Sequence, residues 1–203
     1  LKTEKHRVRV TIGGDRLQHE GITSTTPAAL ATVKTHLNST ISTKNAKYLT
    51  LDIKDYYYGT PMDDYEYAQL PLPLIPPEIV KQYNLTDVAV NGRVYFEVRK
   101  GMPGLKQAGA IAHARLSEHL HKSGYECSRY VSSLWRHSSL PISFTLVVDD
   151  FGVKHVGKQA AQHLIETLQS KYVISIDWSG RNYLGFTLDW DYVEKHITLS
   201  MHQ

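Results

Sequence analysis

The sequence predicts an α+β fold, in which helices and strands alternate without the regular strand–helix–strand repeat of a parallel sheet. Apolar residues recur at spacings of three and four over 105–120 and again over 161–168, which is the pattern of amphipathic helices. Short runs rich in β-branched and aromatic residues, such as 48–53 and 144–148, are typical of strands. There is no internal repeat and no linker long enough to separate two autonomous domains.

The expected helices have recognisable ends. We expect helices over 28–37, 78–83, 105–123 and 158–170. Thr26 and Pro27 are the expected N-cap and first helical residue of the first of these helices. Gly124 is the expected C-terminal stop of the long third helix.

Strands are expected where apolar residues alternate with polar ones or form a short buried run. The expected strands cover 7–12, 48–53, 93–99, 144–148, 151–153, 173–178, 183–190 and 197–201. Residues 69–77 contain four of the eight prolines, so we expect this stretch to be extended and irregular.

The composition excludes collagen-like, low-complexity and fully disordered proteins. The 203 residues are 41% hydrophobic and 21% charged, which is ordinary globular composition. The net charge of +3 weakly indicates an acidic partner such as nucleic acid. Cys127 is the single cysteine and cannot form an internal disulfide, which favours a reducing compartment. No membrane partner is expected, because no apolar run reaches the roughly 18 residues of a spanning helix. Because the chain starts at Leu1, we expect it to be a piece of a longer polypeptide.

Acidic residues interrupt or end two of the apolar runs. Asp149 and Asp150 lie within the run 144–153, and Asp52 lies at the end of 48–53. Burying adjacent carboxylates without a partner is costly, so this pattern requires a compensating cation or pervasive hydrogen bonding. Oxygen ligands suit Mg²⁺ or Mn²⁺, and three carboxylates could bridge two ions about 3.5–4 Å apart for phosphoryl transfer. An ordinary solvated turn is the alternative.

Four blocks in order carry a family resemblance. They are LDIKDYYYGTPM (51–62), FEVRKGMPGLKQAG (96–109), FTLVVDDFGV (144–153) and NYLGFTLD (182–189). With these blocks the chain resembles the reverse transcriptase domain of LTR retrotransposons, most closely the copia type. The resemblance implies polymerase fingers and palm, with a ferredoxin-like antiparallel palm sheet backed by two helices. It implies partial fingers at 1–47 and a palm at 48–203 with an inserted fingers segment at about 61–100, without thumb or RNase H.

The resemblance also implies a reaction. Asp52 and Asp149 match the two metal-binding carboxylates, and Asp150 matches the third acidic position of the catalytic site. Two Mg²⁺ ions, or Mn²⁺, are the implied cofactors. The primer 3′-hydroxyl would attack the α-phosphorus of a deoxynucleoside triphosphate on an RNA or DNA template and release pyrophosphate.

The first block also implies nucleotide contacts. The backbone from Ile53 through Asp55 to Tyr56 would lie near the triphosphate, with N–H groups donating to its oxygens. Tyr57 matches the aromatic gate of the family, whose ring leaves no room for a ribose 2′-hydroxyl. The alternative is that Tyr57, one of three consecutive tyrosines, fills the core.

Five further residues have implied roles. Arg9 would lie over the triphosphate, and Gln107 would hydrogen-bond the nucleotide or template strand. Gly104 and Lys106 would lie at the primer and template, with Gly104 allowing close backbone approach. Lys171 is a candidate general acid for the leaving pyrophosphate. Each of the charged residues could instead be part of a solvated surface.

The sequence departs from the family pattern, and other functions stay open. Val147 stands where many relatives have an aromatic residue, and Met102–Pro103 precedes Gly104. The alternatives are a non-catalytic nucleic-acid-binding palm remnant, another nucleotidyl-transfer enzyme such as a cyclase, and an inactive fragment. The implied partners include the integrase and RNase H domains of a polyprotein. The implied location is intracellular, in a cytoplasmic particle or the nucleus, and not secreted.

Overall fold

The computed structural model describes residues 11–14 and 17–201, which divide into two compact units. Unit 1 contains the described residues up to Ser24 together with Tyr57–Ala112, and unit 2 contains Thr25–Tyr56 together with the described residues from His113 onwards. Helices and antiparallel strands are mixed along the chain, so the predicted α+β class is confirmed. In these described ranges, no helix is both long and apolar enough to cross a membrane.

The helices are α1 (Leu30–Ser42), α2 (Pro77–Gln82), α3 (Leu85–Val88), α4 (Ala108–Lys122) and α5 (Lys158–Gln169). The strands are β1 (Ala46–Ile53), β2 (Pro61–Pro71), β3 (Arg93–Lys100), β4 (Tyr125–Cys127), β5 (Leu134–His137), β6 (Ile142–Val147), β7 (Asp150–Val156), β8 (Ile174–Asp177), β9 (Asn182–Tyr183), β10 (Phe186–Asp191) and β11 (His196–Ser200). A short 3₁₀ turn, Leu72–Leu74, follows β2.

Unit 2 is built around a six-stranded sheet. Its order is β4-β5-β6-β7-β1-β8, with every neighbouring pair antiparallel. Helices contact both faces of this sheet. On one face, His36 of α1 hydrogen-bonds Ser143 of β6. The next residue, Phe144, points to the opposite face and packs with Tyr125. The Tyr125 hydroxyl lies 2.9 Å from Nδ1 of His163 in α5. Strands β9 to β11 form a second antiparallel sheet.

Unit 1 contains the two-stranded ribbon of β2 and β3. The register of the ribbon shifts between Pro61 and Glu66, so the first part of β2 is irregular. The inner face of the ribbon packs on a hydrophobic cluster that includes Met62, Val98 and Leu105. Residues 69–71 therefore belong to a strand, and the expected irregular stretch begins only after Pro71.

The beginning of the first helix is a correction to the prediction. The helix begins at Leu30, with Ala29 at its N-cap position and no side-chain cap. The preceding segment is held extended, because the N–H of Ala28 donates to the carbonyl of Leu146 at 3.0 Å and the Thr26 carbonyl accepts the Ser133 hydroxyl. Thr26 and Pro27 therefore belong to an extended segment that precedes the helix, and they do not cap it.

Other expected elements also differ. The expected strand 183–190 is divided into β9 and β10 at Leu184 and Gly185, which have positive φ angles of 52° and 81°. Strands β4 and β5 were not predicted, since each has only three or four residues. The expected strand 7–12 falls almost entirely outside the described residues.

Candidate carboxylate site

Strand pairing brings the three predicted carboxylates to one end of the large sheet. Asp52 of β1 lies directly opposite Asp150 of β7 in the antiparallel register. The N–H of Ile53 donates to the carbonyl of Asp149 at 3.1 Å, which ties the end of β1 to the turn before β7. Residues that are far apart in the sequence therefore form one acidic cluster.

A strained two-residue turn presents Asp149. Val147 pairs with Asp150, so Val148 and Asp149 are the central residues of the β6–β7 hairpin. Val148 has a φ angle of +60°, a conformation that a β-branched residue rarely adopts. A positive φ at the first central position suits the twist of a tight hairpin and is usually supplied by glycine. The fold thus holds an unfavourable backbone conformation, of the kind often found at functional sites, directly before the carboxylates.

The electrostatics of the cluster are repulsive. Burial, followed by the neighbouring charges of Asp149 and Asp52, raises the pKa of Asp150 to about 6. The ionised form of Asp150 is therefore costly near neutral pH unless a positive charge lies nearby. A divalent cation would supply that charge.

Asp52 is also held by β8, the neighbour of β1 on the side away from β7. Ser175 of β8 lies opposite Asp52 in the register, and its hydroxyl donates to Oδ2 of Asp52 at 3.3 Å. The N–H of Lys54 donates to the carbonyl of Val173 at 2.9 Å. The end of β1 is therefore fixed between β7 and β8. Sequence reasoning missed Ser175, because the residue opposite Asp52 is known only once the register of β8 is known.

Two of the backbone N–H groups expected to donate to a triphosphate are hydrogen-bonded within the chain. The N–H groups of Ile53 and Lys54 are already engaged by the carbonyls of Asp149 and Val173, so they are not free donors for a triphosphate. Asp55 is exposed at the turn after β1, with a φ angle of 52°. Tyr56 is buried, and its ring centroid lies 6.5 Å from that of Tyr172.

Several other predicted site residues lie in unit 1. Tyr57 is half-buried against the hydrophobic cluster of that unit, which is the packing role left open beside the gate. Gln107 is 3% exposed, precedes the first residue of α4, and donates from Nε2 to Oε1 of Glu66. The amide nitrogen of Gln107 is therefore bonded to β2, whereas its buried Oε1 has no hydrogen-bond partner among the described residues.

Two more predicted residues of unit 1 contact their own chain. Lys106 donates from Nζ to the carbonyl of Leu17 at 2.8 Å. Gly104 has a φ angle of +100°, and a Cβ atom there would strike the carbonyl oxygen of Ile12. The close backbone approach expected at Gly104 is therefore made to Ile12, whereas the sequence predicted an approach to base and template.

The last two predicted site residues are Lys171 and Arg9. Lys171 is exposed just after α5, and its Nζ lies 5.8 Å from the ring centroid of Tyr172. Arg9 lies outside the described residues.

The donor set of the carboxylate site fits a hard divalent cation. The side chains of Asp52, Asp149 and Asp150 offer carboxylate oxygens, which Mg²⁺ and Mn²⁺ prefer. Burial, followed by the charges of the other two carboxylates, raises the pKa of Asp150. Within the described part of the chain, no group of three or more His, Cys, Asp or Glu side chains is already arranged to hold a metal ion.

The fold and site together define an α+β protein with an acidic cluster at the end of neighbouring antiparallel strands. Comparison of the chain with protein-family models gives no match, and comparison with curated proteins gives none either.

Proposed function

We propose that the chain is the fingers–palm part of an RNA-directed DNA polymerase of a copia-type retrotransposon. The observation that carries the proposal is the register that sets Asp52 opposite Asp150, with Asp149 in the adjoining turn. The four sequence blocks that resemble reverse transcriptases include all three of these residues. In this proposal the domain bounds are those that the resemblance implies, with partial fingers at 1–47 and a palm at 48–203 that contains an inserted fingers segment at about 61–100.

Asp52, Asp149 and Asp150 would hold two Mg²⁺ or Mn²⁺ ions. When bound, such ions lower the pKa of a primer hydroxyl and neutralise charge on the departing phosphates. The protein contributes the fixed position of the carboxylates: Ser175 orients Asp52, and the Ile53 N–H anchors the turn that carries Asp149. The substrates would be deoxynucleoside triphosphates and a primed RNA or DNA template, with integrase and RNase H domains as neighbours in a polyprotein.

In the same proposal, Tyr57 acts as a steric gate against ribonucleotides, and Arg9, Asp55, Tyr56 and Gln107 lie at the nucleotide. Lys106 and Gly104 are proposed for primer and template, and Lys171 for protonation of pyrophosphate. The Gln107 amide nitrogen is already bonded to Glu66. The Lys106 ammonium donates one hydrogen bond to the Leu17 carbonyl and keeps two further N–H donors.

The proposal is tested by deoxynucleotide incorporation on a primed RNA template with Mg²⁺ or Mn²⁺. We expect Asp149→Asn to abolish incorporation, because the neutral amide is a poor ligand for a hard cation. Asp189→Asn is the matched control, since it makes the same chemical change at an exposed position of β10. Incorporation that survives Asp149→Asn would contradict the proposal. Tight primer–template binding without incorporation by the unaltered chain would instead indicate the non-catalytic remnant.

A further inference from the structure

A groove in unit 2 runs between helix α1 and the strands at one edge of the large sheet. Its volume is about 870 Å³, which is within the range of sites that take small molecules. Helix α1 is held over β6 and β7 by the bonds of His36 to Ser143 and of Lys154 to Ser39, while β5 and β4 continue the sheet past β6. We name this cavity the α1–β5 groove, and its lining includes Thr32, Ser39, Ser128, Arg129, Leu134 and Arg136.

Two arginines give the groove its positive charge. Arg136 of β5 lies opposite Ser143 in the register, so its side chain is on the face of the sheet that α1 covers. Its guanidinium is 3.9 Å from a carboxylate oxygen of Glu126, which is too far for a hydrogen bond. Arg129 has no carboxylate partner within the part of the chain that the structure describes. Glu126 is the one acidic residue of the lining, so the lining is positively charged overall.

Two serine hydroxyls add hydrogen-bond donors. Ser128 Oγ accepts the N–H groups of Tyr130 and Val131 at 3.2 and 3.1 Å. Ser39 Oγ accepts a bond from Nζ of Lys154 at 2.6 Å, and a bond from a cation polarises a hydroxyl towards donating its own proton. Because both oxygens already accept, each serine mainly offers a ligand its O–H. The groove is therefore rich in donors and cations, which favours an oxyanion.

The groove has more room than a bare carboxylate or phosphate ion would fill. Its lining also contains the apolar side chains of Val131 and Leu134. The ring of Tyr130, another lining residue, is 97% exposed. An apolar or aromatic body attached to the anion would cover these side chains and remove apolar surface from water.

We propose that the α1–β5 groove binds a small organic anion, in which a carboxylate or phosphate group contacts Arg129 and Arg136 while an apolar body covers Leu134 and Tyr130. Guanidinium groups pair with both kinds of oxyanion in bidentate geometry. His36 in the lining is uncharged at neutral pH because burial lowers its pKa to about 4, so the two arginines are the cations of the lining. The inference does not rest on the proposed polymerase function, since the groove and the carboxylate site share no residue.

The test compares two fluorescent probes with the full chain: anilinonaphthalene sulfonate, which is anionic, and phenylnaphthylamine, its uncharged counterpart. We expect the double variant Arg129→Gln with Arg136→Gln to bind the sulfonate at least about tenfold more weakly, because two charge-assisted contacts are lost, and to bind the uncharged probe as before. Arg181→Gln is the matched control, since Arg181 is an exposed arginine of unit 2 outside the groove.

The sign of this result separates it from misfolding. A partly unfolded variant exposes apolar surface and binds more of the sulfonate, so it cannot imitate the expected loss. Equal affinity of the double variant and the unaltered chain for the sulfonate would overturn the inference. An equal loss for both probes would overturn it as well, because the arginines would then act without regard to the charge of the ligand.

A second measurement uses the unaltered chain. Cys127 is the single cysteine, is partly exposed and lines the groove, so it reports on occupancy. Saturating sulfonate should slow the alkylation of Cys127 by iodoacetamide severalfold, and an unchanged rate would overturn the inference. Phenyl phosphate and phenylacetate are then compared as competitors of the sulfonate. Displacement by only one of them identifies the anionic group that the groove takes, and displacement by neither would overturn the inference.

Discussion

Acidification from pH 7 to pH 5 should destabilise the protein through one buried histidine. His36 of α1 is 6% exposed, and its Nε2 lies 3.0 Å from the hydroxyl of Ser143. Burial, followed by the positive charge of Lys154, lowers the pKa of His36 from 6.5 to about 4. His36 is therefore neutral in the folded protein at pH 5, while the same residue in the unfolded chain is mostly protonated.

The sign and size of the change in the free energy of unfolding follow from this difference in protonation. The unfolded state binds more protons between pH 6.5 and about 4, so the free energy of unfolding falls as the pH is lowered through this range. Each pH unit is worth about 1.36 kcal/mol, which gives a loss of about 2 kcal/mol at pH 5 and about 3 kcal/mol near pH 4. Domains are commonly stable by only about 5–15 kcal/mol, so the loss is measurable.

Urea unfolding of the unaltered chain and of His36→Gln, followed by tryptophan fluorescence at several pH values, measures this effect. The difference between the two stability curves isolates His36 from the carboxylates, including Asp150, whose raised pKa acts in the opposite direction. His196→Gln, at an exposed position of β11, controls for the chemical change. Parallel curves for the unaltered chain and His36→Gln between pH 7 and pH 5 would refute the reasoning.

Three further predictions concern the proposed site and the core. Gly152→Ala should lower the free energy of unfolding by about 1–3 kcal/mol or more, because a Cβ atom there would strike the Tyr48 hydroxyl; an unchanged urea midpoint would contradict this. Tyr57→Ala should raise the ratio of ribonucleotide to deoxynucleotide incorporation, and an unchanged ratio would reject the gate. Ser175→Ala should weaken Mn²⁺ binding, measured by electron paramagnetic resonance, by roughly tenfold through the loss of its bond to Asp52, whereas Ser175→Thr should retain it.

The sequence predicted the elements whose pattern is local and strong. Helices α4 and α5 were found from apolar residues at helical spacing, and β1 was found from an uninterrupted β-rich run. The start of α1 was predicted wrongly because Thr26 and Pro27 resemble a helix start, while the hydrogen bond from Ala28 to Leu146 decides the local conformation. That hydrogen bond joins residues far apart in the sequence, so it cannot be predicted from the residues around Thr26 and Pro27.

In the candidate site, too, local patterns were predicted correctly and long-range contacts were not. The apolar runs around Asp52 and Asp149 indicated strands that end in carboxylates, and the register then set them together. The roles of Gln107 and Lys106 depended on partners that only the folded chain reveals, namely Glu66 and the carbonyl of Leu17. Sequence patterns therefore identify acidic strand ends well, and they identify the hydrogen-bond partners of isolated polar residues poorly.

The position of β1 in the sheet has a consequence for biosynthesis. This strand lies between β7 and β8, which follow it in the chain by about a hundred residues. A ribosome-bound chain that has not yet emerged through β8 cannot give Asp52 both of its neighbours. Non-local pairing of this kind slows folding, so the acidic cluster should be among the last features to mature as the chain leaves the ribosome.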